Sequence, residues 1–139
     1  MNTLLKGALA GLAATIVLSM LMIMKGMMGL MPDVDIIAML AGKMGGNAMM
    51  GWVAHFMIGV VGYGIAYALV FSKLAIGSHL VRGIALGIAG WLSMMVALMP
   101  MMGAGMFGMD LPSGMMVPVA TMMLHIIFGA TLGFVYSKL

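Results

Sequence analysis

The chain has 139 residues, 65% of them hydrophobic and 6% charged, with a net charge of +3 at pH 7 and no cysteine. A soluble domain carries about a quarter charged residues, so this chain lacks the material for a water-facing surface, and a mean hydropathy of +1.25 places it in a lipid bilayer. Disulfides, thiolate metal sites and thiol nucleophiles are excluded, and the scattered basic residues leave no footprint for nucleic acid.

In chain order, the first element is an apolar run that follows Lys6. It has spanning length and lacks a convincing cleavage site, so residues 3–24 are expected to form an uncleaved first transmembrane helix. PDVDIIAMLAGKMGG at 32–46 reads as a short amphipathic helix on the outer surface. There Asp33 is the expected N-cap, Asp35 lies in the first turn and Lys43 near the end, with Ile36, Ile37, Leu40 and Met44 at near-helical spacing. Further spans are expected at 51–71, 80–102 and 117–136, with an irregular glycine-rich loop at 103–114. These runs are continuous rather than alternating, which argues against strands.

The expected fold is therefore all-α: one integral membrane domain, residues 1–139, forming a four-transmembrane-helix bundle. The two halves resemble each other. LKGALAGLAA at 5–14 aligns with VRGIALGIAG at 81–90, and HFMIG at 55–59 with HIIFG at 125–129. This predicts two tandem helical hairpins, about 1–72 and 77–139, related by a pseudo-two-fold along the membrane normal. Lys6, Lys73, Arg82, Lys138 and His79 fall at one end of the spans, and Lys25 and Lys43 at the other with Asp33, Asp35 and Asp110. The positive-inside rule then gives N-in and C-in, with Tyr67, Tyr136 and Trp52 as interfacial anchors and His79 as a solvated inner-face residue.

Glycines and methionines divide the spans. Gly7, Gly11, Gly59, Gly62, Gly83, Gly87, Gly129 and Gly133 lie at mid-span or toward the inner end, where small residues let helices approach closely. Most of the 23 methionines lie toward the outer end, where flexible thioethers are expected to fill a wider bundle. His55 and His125 fall at this change of composition.

Imidazole and thioether sulfur suit Cu(I), and paired helix-borne histidines suit haem. The candidate ligands for copper or haem are His55, His125, Met20, Met24, Met95, Met99 and Met122. Against them stands interhelical hydrogen bonding to hydroxyls such as Thr15, Ser19, Thr121 and Thr131, and a proton or substrate path is a further reading. The chain has no Glu, and its three Asp residues are not placed for acid–base work, so no catalytic residue and no enzyme is expected.

GWVAHF (51–56), MPMMGAG (99–105) and LHIIFGATLG (124–133) resemble a family of small four-helix bacterial integral membrane proteins of unknown function. The resemblance implies four spans and a bacterial inner membrane, with no activity or catalytic residues. Size, scant extramembrane mass and glycine seams lead to the expectation of an accessory or assembly subunit that packs against other membrane subunits or itself. The alternative is a copper- or haem-binding protein using His55 and His125, and the third reading is a small oligomeric channel or carrier.

Overall fold

A computed structural model describes all residues, 1–139. The chain is helical throughout, without strands. Helix α1 spans Thr3–Met27, α2 Ile36–Lys43, α3 Ala48–Lys73, α4 His79–Met101 and α5 Met116–Lys138. Helices α1, α3, α4 and α5 are each long and apolar enough to cross a membrane, the build of a multi-pass membrane protein.

Side-chain caps set several starts. Asn2 Oδ1 accepts from Leu4 N at 2.7 Å, Asn47 Oδ1 from Met49 N at 2.8 Å, and Ser78 Oγ from Val81 N at 3.4 Å. The cap of α2 is Asp35, accepting from Ala38 N at 3.0 Å, and not Asp33 as the sequence suggested. Asp33 instead bridges two loops: its Oδ1 accepts from Ser113 Oγ at 2.6 Å and its Oδ2 from Ser113 N at 2.9 Å. The Ser113 hydroxyl and backbone N–H hold this carboxyl below its usual range of 3.8.

Two helices carry wider π-helical stretches, Ile58–Tyr63 in α3 and Met94–Leu98 in α4. The second ends two residues before Pro100. Proline has no N–H and crowds the carbonyl four residues before it, so a locally widened helix accommodates it.

Helix α5 packs along α4 and against α1, and α1 packs against α3. Glycine makes these contacts close. Gly7 lies on the Gly64 carbonyl and the Ala68 methyl, and Gly11 on the Gly59 carbonyl and the Cα of Gly64. Across the other pair, Gly83 lies on the Gly129 carbonyl and Gly133, Gly87 on the His125 carbonyl, and Gly133 on the His79 carbonyl. Gly59 meets the Thr15 side chain. Gly62 differs from the sequence reading: it is exposed, and a Cβ there would meet nothing within 4 Å. The π stretch turns Gly64 into the seam in its place.

The main core joins Ala10, Ala14, Tyr67, Ala68, Leu86, Phe128, Leu132 and Tyr136. Tyr67 and Tyr136 are therefore core residues rather than interfacial anchors, with their rings edge to face at 4.9 Å. The Tyr67 hydroxyl lies 2.9 Å from His79 Nδ1 and 3.0 Å from the His79 carbonyl. His79 is thus tied into this cluster and half-buried, not simply solvated. Lys6 Nζ sits 4.4 Å from the centre of the Tyr136 ring.

Candidate functional site

Toward the α2 end, residues of all four long helices border one shared space. A cavity of about 910 Å³ lies between the bundle, α2 and the loop before it. His55 and His125 both line it. The sequence left their mutual placement undetermined; the fold brings them to one cavity from α3 and α5.

Each ring is held by one hydrogen bond. His55 Nε2 lies 3.1 Å from Ser19 Oγ of α1. His125 Nδ1 lies 2.8 Å from the Thr121 carbonyl one turn earlier in α5. Aromatic neighbours flank both. Trp52 and Phe56 stand edge to face with His55 at 5.8 and 5.7 Å, and Tyr63 tilts against His125 at 6.5 Å between ring centres. Phe128 meets Tyr63 edge to face at 5.0 Å.

The rest of the wall is mostly aliphatic, including Leu18, Ile23, Ile58, Leu98 and Leu124. Both π-helical stretches contribute to it, through Ile58, Gly59 and Tyr63 on α3 and Met94 and Leu98 on α4. Such stretches recur at functional sites because the extra residue re-aims side chains. At the α2 end, Lys25 Nζ donates to the carbonyls of Leu30 and Met31 at 3.1 and 3.0 Å. Met31 itself has a left-handed backbone, φ 46°, a conformation that costs a non-glycine residue about 1–2 kcal/mol. Lys25 pins this turn against the cavity.

Three hydroxyls near the histidines donate to backbone carbonyls. Thr15 Oγ1 donates to the Gly11 carbonyl at 2.6 Å, Ser19 Oγ to the Thr15 carbonyl at 2.7 Å, and Thr121 Oγ1 to the Val117 carbonyl at 2.6 Å. Neither ring has a carboxylate hydrogen-bonded to it.

The methionines are not where the sequence reading put them. Met20 and Met24 are 59% and 54% exposed and point outward, toward lipid. Met95 and Met99 are fully buried in a separate cluster with Ala104, beside Trp91 and Phe107. Met122 is half-buried and does not border the cavity. The thioethers that do border it are Met22, Met31 and Met94. Nowhere do three or more histidine or acidic side chains cluster as metal ligands. The wider end of the bundle is thus a cavity, and methionine packing fills only the side pocket around Met95 and Met99. Lys25, Trp52 and Tyr63 join the site without a sequence signal, because the partners they meet lie on other helices.

Residues 1–139 match the profile of a family of unknown function, DUF6789, and the chain belongs to that family. No curated protein and no solved structure matches the chain.

Proposed function

For this DUF6789 member we propose a non-enzymatic binding function: the protein holds one small amphipathic molecule in the cavity shared by His55 and His125. The observation that carries this reading is the pairing itself. Two histidines from different helices border one largely apolar space of about 910 Å³, and ligand sites are typically apolar clefts of about 300–1,000 Å³ with a few placed polar groups. Ionisable groups at membrane depth mark functional sites by default.

Native mass spectrometry of the protein, extracted gently from its membrane, tests the proposal. One small-molecule adduct per chain is expected on the wild type. Leu18→Trp with Leu124→Trp, which fills the cavity, should remove it while leaving thermal unfolding in place. A bare wild-type protein would overturn the reading.

The accessory-subunit reading drew on glycine seams for docking. Those glycines, apart from Gly62, are engaged within the chain, so that support is withdrawn and the reading rests on small size and scant extramembrane mass. Copper or haem would call on the same two imidazoles; the metal content of the same sample decides it.

The finer architecture belongs to the same proposal. His55 and Gly59 align with His125 and Gly129 at an offset of 70, whereas Gly64 and Tyr67 align with Gly133 and Tyr136 at 69. The one-residue change falls in the π stretch Ile58–Tyr63, which is how a helix absorbs an insertion. That supports duplicated hairpins with a pseudo-two-fold. The clustering of Lys6, Lys73, Arg82 and Lys138 at one end supports N-in, C-in placement in a bacterial inner membrane. Helix α2, with Ile37, Leu40 and Ala41 buried, then lies at the outer surface.

A further inference from the structure

The hydrogen bonds on the two imidazoles determine which nitrogen each ring offers to the cavity. Ser19 has a single hydroxyl proton, and it goes to the Thr15 carbonyl at 2.7 Å. A carbonyl oxygen accepts only, so a hydroxyl at that distance without its proton between would set two lone pairs against each other. Ser19 Oγ is then an acceptor toward His55, and the proton between them sits on His55 Nε2. The neutral His55 ring is left with a bare Nδ1. At His125 the partner is again a carbonyl, that of Thr121, so Nδ1 carries the proton and Nε2 is bare.

Neither bare nitrogen has a hydrogen-bond partner within the chain, and no fully buried side-chain nitrogen or oxygen is left unsatisfied. Both bare nitrogens are therefore accessible, on residues that line the cavity. The hydroxyls of Thr15, Ser19 and Thr121 donate to backbone carbonyls, whereas the Tyr63 hydroxyl and the Trp52 indole N–H, also on residues that line the cavity, have no partner within the chain.

The site thus presents two imidazole lone pairs that call for a donor, beside aromatic residues whose unspent O–H and N–H call for an acceptor. From this geometry we infer that the ligand's head group is a hydroxyl, an alcohol or phenol on an apolar body, which can both donate to an imidazole nitrogen and accept from Tyr63 or Trp52. The head donates O–H to an imidazole nitrogen, its ring or chain lies against Trp52, Tyr63 and Phe128, and its tail follows the aliphatic wall of Leu18, Leu98 and Leu124. A ketone, quinone or ether of the same shape could accept from Tyr63 or Trp52 but would leave both imidazole nitrogens without a donor. This inference rests on the cavity being a ligand site.

The test uses the full chain in phosphatidylcholine nanodiscs with a metal chelator present. The histidine nitrogens are isotope-labelled and followed by NMR. The probes are para-dodecylphenol and its methyl ether, which share shape and tail and differ in the one donor. The free protein should show a protonated Nε2 with a bare Nδ1 at His55, and the reverse at His125. The phenol should shift a bare-nitrogen signal of His55 or His125 and bind about tenfold more tightly than the ether. His79, whose Nδ1 lies against the Tyr67 hydroxyl, should not respond to either probe. Equal binding of both probes, with the same shifts, would overturn the donor inference and leave the cavity site standing. Binding of neither would overturn both. The opposite tautomers in the free protein would remove the premise and the inference with it.

Discussion

Gly83 and Gly129 meet backbone to backbone: each has the carbonyl oxygen of the other where its own β-carbon would be. Membrane helices lack a hydrophobic force between them and associate through such close packing. A methyl group at either position collides with a backbone that has no rotamer to escape into. Gly83→Ala and Gly129→Ala should each cost about 1–3 kcal/mol, read as earlier unfolding in mixed micelles of increasing dodecyl sulfate. Gly62→Ala, at an open position, should be neutral or slightly stabilising, because alanine favours helix over glycine by about 1 kcal/mol. Equal loss at Gly62 and Gly83 would contradict this assignment of the seam.

At the opposite end from the cavity, Tyr67→Phe removes the hydroxyl that meets both His79 Nδ1 and the His79 carbonyl. Tyr67 is fully buried, so its loss leaves those groups without their partner. A destabilisation of about 1–3 kcal/mol is expected. In a double-mutant cycle with His79→Phe the two changes should be strongly non-additive. Additive effects would show that the two side chains do not act as a unit.

The Asp33–Ser113 bridge predicts an acid response in the loops. The folded carboxyl is held below its ordinary 3.8 by the Ser113 donors, so the tie is at full strength above that value and is lost as pH falls through the lower folded value. Because the chain has no cysteine, spin labels can be placed singly at Pro32→Cys and Pro112→Cys, both exposed. Their separation should stay narrow from neutral pH to about 4 and broaden only in stronger acid. Asp33→Asn should broaden it at every pH. A transition near neutrality would assign the response to another group.

Methionine should matter only where it is enclosed. Met95 is fully buried, and Met95→Ala should cost about 2–5 kcal/mol. Met24→Ala, on an outward position, should change stability by less than about 0.5 kcal/mol. Comparable losses at the two positions would mean that the outward methionines pack against a partner rather than lipid.

Composition and run length were enough to read the spans, because a bilayer demands long apolar helices and tolerates few charges. The structure extends the expected 3–24 to Thr3–Met27 and 51–71 to Ala48–Lys73, while leaving their number unchanged. The short helix in the first loop was also legible from its alternating faces, although its cap is Asp35 and not Asp33.

Only the tertiary structure decided which residues meet. An extra residue wound into a π stretch replaced Gly62 with Gly64 at the seam; a helical repeat read at 3.6 residues per turn carries no mark of that insertion. Tyr67 and Tyr136 read as interfacial from their place near span ends, yet the close glycine contacts draw them into the core beside His79. The sequence marked His55 and His125 as costly, but not that they share a cavity or which nitrogen each presents. Those properties follow from the packing of α1, α3 and α5, from where Ser19 directs its hydroxyl proton and from the Thr121 carbonyl that accepts from His125. Burial cost is a property of a residue in its own helix, whereas a binding site is a relation between helices.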